Sequence, residues 1–214
     1  MKKLIYFLFA ATLFSCHSQN KEQEATVKEV DSFMNFKCCP PTIYLQPCNN
    51  FTQAEARAII PNMRKELVRF TYIDDLEIVV KPNIKLPDSL LNTNKTRYRA
   101  DKIVKYFSKE ANDHNVIIAL LHQDVSTSLH GKADWGVLGL SLQPLQDCVV
   151  SDYRLKNKKR DLWKVVVHEF VHTYFIAKHC AQDDPKCIMQ DAKGHADFSN
   201  KTALCDSCSR KYRI

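Results

Sequence analysis

His168-Glu169-Phe170-Val171-His172 decides how this chain is read, and His179-Cys180, Cys187-Ile188-Met189 and Cys205-Asp206-Ser207-Cys208 extend the reading. The residues just ahead, Leu162 to Val167, are mostly apolar and contain neither Gly nor Pro, as suits a buried helix. On a helix, residues four apart share a face, so His168 and His172 can offer two imidazole nitrogens to one metal ion. Glu169 lies about 100° further round and can reach a water on that metal without being a ligand. Two imidazoles and a neighbouring carboxylate form the constellation of zinc-dependent hydrolysis. Cys180, Cys187, Cys205 and Cys208 make a second donor set, because a C-x-x-C turn presents two sulfurs to one ion. The alternative for the same four sulfurs is disulfides, which an exported location permits.

In this order the motifs resemble those of the archaemetzincins, a branch of the metzincin zinc peptidases. The family pattern runs H-E-x-x-H-x-x-G-x-x-H-C, then C-x-M, then C-x-x-C. The likeness continues outside the motifs and covers roughly Thr42 to Arg213. Asn94-Lys-Thr-Arg-Tyr-Arg-Ala100 resembles the family's approach to a helix, Asn115 to Asp124 its apolar strand, and Asp134 to Arg154 its substrate-side strand and following loop. The resemblance implies two zinc ions. One is catalytic and held by His168, His172 and His179, with Glu169 as general base. The other is structural and held by Cys180, Cys187, Cys205 and Cys208. It also implies that Met189 forms a Met-turn, an apolar floor beneath the histidines.

The chain departs from the pattern between the second and third histidines. Six residues, Thr173 to Lys178, stand there, one more than in the family, and Phe175 occupies the position of its glycine. That glycine lets the chain leave the helix through a positive φ. A non-glycine residue there costs roughly 1–2 kcal/mol. The extra residue is expected to let the helix run further, with the turn falling between Phe175 and Lys178 and His179 serving as third ligand. Lys178, at the literal eleventh position of the motif, has no lone pair to give while protonated.

The N-terminus carries a different kind of information. Met1-Lys2-Lys3 followed by apolar Leu4 to Leu13 reads as a signal peptide, too short to span a bilayer. Leu13-Phe14-Ser15-Cys16 resembles a bacterial lipobox, which makes Cys16 the lipidated first residue; ordinary secretion is the alternative. The expected organisation is a lipoprotein signal at 1–15, a polar tether at 16–41 and one metallopeptidase domain at 42–214. The protein is then exported and anchored to a membrane of the cell envelope through Cys16, facing the periplasm or the cell surface. Net charge is +7, from 31 Lys and Arg against 24 Asp and Glu. The densest basic run, Arg154 to Lys164, reads as a solvated loop and helix entrance, since no aromatics are placed for stacking on bases. No nucleic-acid partner is expected; the expected partners are a peptide or protein substrate and the membrane, with the chain a monomer. Of the remaining cysteines, Cys38, Cys39, Cys48 and Cys148, a bridge from the first pair to Cys48 or Cys148 is reasonable. His114, His122, His130 and His195 have no motif around them.

Periodicity supplies the architecture. Thr42 to Gln46 reads as a strand. Thr52-x-x-Glu55 is a capping box opening a helix whose apolar face carries Ile59, Ile60, Met63, Leu67 and Phe70, kinked at Pro61. Leu76 to Val80 is a β-branched strand, Tyr98 to Ala111 an amphipathic helix, and Val116 to Leu121 a central strand buried on both faces. Trp135 to Leu142 alternates less cleanly, weakened by Gly136 and Gly139; the resemblance implies that it is the edge strand above the cleft. A long active-site helix is expected over Asp161 to Ala177. The alternation gives an α/β fold with a twisted mixed sheet, and the resemblance implies a metzincin-like single domain with a cysteine-rich C-terminal part. The activity expected is peptide-bond hydrolysis; the rivals are a catalytically weak zinc- and peptide-binding module and, more weakly, a thiol oxidoreductase using Cys205 and Cys208.

Overall fold

The computed structural model describes residues 40–112, 114–129, 131–192 and 198–213. The signal segment, the lipobox Cys16, most of the tether, Cys38, Cys39, His130 and His195 lie outside the described residues. A five-stranded sheet forms the centre, in the order β2-β1-β4-β8-β7. Its strands are β1 (Thr42–Pro47), β2 (Ile78–Val80), β4 (Asn115–Leu121), β7 (Gly139–Ser141) and β8 (Asp147–Ser151). All neighbours are parallel except β7, which runs antiparallel to β8 at the edge. A second sheet of three strands joins β3 (Tyr98–Arg99), β5 (Val125–Leu129) and β6 (Lys132–Val137).

The apolar run at β4 sits in the middle because a strand covered on both faces needs no polar alternation. Val116, Ile118 and Leu120 face one core, while Ile117, Ala119 and Leu121 face the other. The first core is closed by helix α1 (Gln53–Thr71) and helix α3 (Leu162–Tyr174), which contribute Met63, Leu67, Phe70, Val166 and Phe170. The second is closed by helix α2 (Ala100–Phe107) through Ile103, Val104 and Phe107. Each such side chain contributes about 1.5–3 kcal/mol on burial, so the two cores fix the sheet between helices. Thr52 and Glu55 form the capping box at the start of α1. That helix continues through Pro61 as one element.

Four expectations change. Tyr98 and Arg99 are not helical: they pair in parallel with Val125 and Ser126, and the helix begins only at Ala100. Trp135 to Leu142 is not one strand: its first part, in β6, pairs with β5 and its last part, in β7, pairs with β8. The active-site helix starts at Leu162 and stops at Tyr174, three residues before Ala177. Cys48 and Cys148 are buried free thiols in separate cores, so neither forms the expected bridge. No helix among the described residues is long and apolar enough to cross a membrane.

Candidate metal centre and cleft

Helix α3 lies under the edge strand β7 and carries His168, Glu169 and His172. After Tyr174 the Phe175 N–H still reaches the Val171 carbonyl at 3.2 Å, and the chain then turns through Ile176 at φ 51°. The left-handed residue is therefore Ile176, one place beyond the motif's glycine position. Phe175 instead turns inward, packing against Phe70, Phe170, Tyr174 and Tyr212. A β-branched side chain at positive φ is strained by roughly 1–2 kcal/mol. Burial of the neighbouring Phe175 offsets that cost, while Ile176 itself stays 46 % exposed. Gln143 ties the turn down: its amide donates to the carbonyls of His172 at 3.2 Å and Ala177 at 3.0 Å.

This exit returns the chain so that His179 faces the helix. Its ring centroid lies 4.7 Å from that of His172 and 5.4 Å from that of His168. One ligand atom from each of His168, His172 and His179 falls within 4.8 Å of the others. The tautomers are set by the backbone. His168 Nδ1 lies 2.8 Å from the Ile188 carbonyl and His172 Nδ1 lies 2.8 Å from the Ala177 carbonyl. A carbonyl only accepts, so both Nδ1 atoms carry hydrogen and both Nε2 atoms present lone pairs. Those two Nε2 atoms are 3.0 Å apart. Burial holds both histidines below their ordinary pKa, His168 strongly, so neither supplies a proton to bridge the gap. Two facing lone pairs repel unless a cation stands between them, and that donor chemistry fits zinc.

Glu169 projects into the same cleft, 7 % exposed, with its Cγ and Oε1 against Gly139. A Cβ built at Gly139 would come within 2.6 Å of both atoms, so the glycine makes room for the carboxylate. Burial pushes the Glu169 carboxyl up to about 8; a divalent cation alongside would oppose that rise. The cleft encloses about 600 Å³ and is walled by β7, by β6 and by the three histidines.

Met189 is fully buried in the core beside these residues, and the next residue but eight back, Cys180, donates its N–H to the Met189 carbonyl at 2.8 Å. The four cysteines gather behind. Cys180 and Cys205 sulfurs stand 3.7 Å apart, and Cys187 and Cys208 sulfurs 3.9 Å. All four are free thiols, with their sulfurs mutually within 4.8 Å. A disulfide needs about 2.05 Å, whereas the edge of a tetrahedron with Zn–S of about 2.3 Å is about 3.8 Å. The second donor set thus also fits zinc, and its spacing speaks for metal over disulfides. The hydrogen bond between the Cys187 and Cys208 sulfurs lowers the pKa of Cys187 and raises that of Cys208.

Two residues of the basic run do not lie in solvent. Lys164 is buried, donating to the carbonyl of Phe198 at 3.1 Å and paired with Asp161 at 2.8 Å. Arg154 lines the cleft. Sequence reasoning also missed Gln143 and the buried Lys201, whose ammonium donates to the carbonyls of Cys187 and Gln190. Their partners are long-range and carry no motif.

No protein-family model matches the chain. An archaemetzincin of Natronomonas pharaonis is 26% identical over 153 residues, spanning 64% of this chain and 83% of that relative. The crystal structure of an archaemetzincin from Methanopyrus kandleri matches with a TM-score of 0.61, covering 79% of this chain and 92% of that one at 19% identity. The chain has an archaemetzincin-like fold.

Proposed function

We propose that this chain is a zinc-dependent peptidase whose centre is His168, His172 and His179, with Glu169 as general base. The observation that carries the reading is the pair of Nε2 lone pairs 3.0 Å apart, beside a buried carboxylate that opens on a cleft. Zinc bound there would supply Lewis acidity, lowering the pKa of water towards ~7 and polarising a peptide carbonyl. The rest falls to the chain itself. Glu169 accepts the proton of the attacking water and returns it to the leaving amine. The Ile188 and Ala177 carbonyls keep His168 and His172 in the one tautomer that can serve. The outer edge of β7 offers unpaired backbone to an extended peptide, which would add as a further strand.

In the same reading the four cysteines hold a structural zinc, Met189 is the Met-turn floor, and Cys16 is lipidated and anchors residues 42–214 to a membrane through the tether. Replacing Cys16 by Ala should release the protein from the membrane fraction; if fractionation still finds it there, the anchor assignment is wrong. For the activity, zinc-loaded protein is assayed on a peptide library beside Glu169→Gln. Cleavage by the wild type alone, at equal metal content, supports the peptidase. Peptide binding without cleavage by either would favour the rival zinc- and peptide-binding module.

A further inference from the structure

We propose that Arg154 builds a carboxylate-binding subsite in the cleft, which selects peptides carrying a carboxylate near the bond that is cut. The proposal rests on the peptide-binding reading above and narrows it to a substrate class.

Arg154 is positioned rather than loose. Its Nε and Nη2 donate to the two oxygens of Asp124, each at 2.8 Å, which fixes the plane of the guanidinium. Asp124 is 8 % exposed and also receives Arg97 Nε at 2.8 Å. Arg97 also pairs with Asp134 at 3.6 Å, and Arg154 Nη1 has no hydrogen-bond partner among the described residues. The fork lies against Gly136, where any Cβ would overlap the guanidinium. The same cleft-lining chain makes room for Glu169 at Gly139. Gly136 in β6 thus seats a cation and Gly139 in β7 an anion on the walls of one cleft.

A substrate carboxylate in the cleft would meet the side of the fork that Asp124 leaves open, where guanidinium and carboxylate can pair through parallel hydrogen bonds. It could belong to an Asp or Glu side chain or to the end of a short peptide. If Arg154 did no more than tie down Asp124, the two bonds would be the same but no substrate preference would follow.

The test uses zinc-loaded protein and matched synthetic peptides. In one set Asp replaces Asn at each position in turn on either side of the cleaved bond, with amidated ends. In another, neutral peptides of graded length end as free acid or as amide. Initial rates are read on the wild type, and binding is read separately by fluorescence anisotropy on Glu169→Gln. At least one carboxylate peptide should exceed its neutral twin roughly tenfold, the low end for hydrogen bonds to a charged group. The first set identifies a side chain, the second a chain end. Gly136→Ala displaces the guanidinium by moving only the end of a flexible side chain, and Arg154→Gln removes it; both should bring the ratio close to one. A wild-type ratio near one in every pair, or a ratio that survives both substitutions, overturns the subsite. Discrimination in binding with no cleavage of any peptide would sink the peptidase reading and leave the subsite standing.

Discussion

The two donor clusters differ in how they are closed. The histidines come from a helix and the loop after it, run from buried at His168 to exposed at His179, and open on the cleft. The cysteines come from the chain after helix α3 and from the start of a short helix, Asp206–Lys211, which Cys205 caps. Backbone bonds stitch these segments, Cys180 N–H to the Met189 carbonyl and Ile188 N–H to the Ala203 carbonyl, and the four cysteines line no part of the cleft. Three nitrogen donors with an open side leave a coordination position for chemistry; four sulfurs around one point leave none. On the proposed reading, the first cluster is the working site and the second holds the C-terminal chain in place. Each substitution below can break that division or sharpen it.

The largest effect is expected at the closed site. Cys205→Ser should remove one zinc and melt the C-terminal part, since apparent binding energies of structural zinc reach ~10–16 kcal/mol in small zinc peptides. Metal analysis with a thermal melt checks it; disulfides among the four cysteines in native mass spectrometry would break the comparison at once. At the open site His179→Ala should lower zinc affinity more than about tenfold and leave the melt of the thiolate region unchanged, because two imidazoles under-coordinate the ion. Lys178→Ala should spare both metal sites, as titration with a zinc chelator would reveal.

A pH titration separates metal loss from loss of the sheet. Both clusters release metal as their ligands take up protons in acid. Asp147, fully buried at the start of β8 with both oxygens unpartnered among the described residues, works in the other direction. Burial pushes its carboxyl from 3.8 up to about 7. The folded chain then holds a proton that the unfolded chain gives up, so between about pH 4 and 7 this group makes folding less favourable as pH rises. Asp147→Asn should flatten that part of the stability curve, raising the melting temperature at pH 8 and changing it little at pH 4.

The smallest effect belongs to the turn that links the two clusters. Ile176→Gly relieves the left-handed strain, less the entropy that glycine adds to the unfolded chain, a net gain of about 0.5–1 kcal/mol. Zinc affinity at the histidines should be unchanged, by melt and metal titration together.

How much of this was legible beforehand follows from the range of the interactions. The wholly apolar Val116 to Leu121 and the spacing of His168 and His172 are local signals: the strand forms where it is expected, and the two histidines lie on the expected helix. The capping box at Thr52 and Glu55 is local too. What escaped was settled by partners far along the chain. Tyr98 and Arg99 leave the helical pattern because Val125 and Ser126 offer a parallel ladder. Helix α3 ends early because Phe175 finds Phe70 and Tyr212. Arg154 sits in a basic run but is claimed by Asp124, thirty residues back.

Glu169 offers the most direct test of the central claim, that the histidine cluster is hydrolytic. Zinc content and peptide cleavage should be measured together on wild type and Glu169→Gln. The account predicts equal zinc in the two proteins, since Glu169 is no ligand, with hydrolysis lost by at least about a hundredfold in the variant. Loss of zinc along with activity, or full activity in the variant, would contradict it.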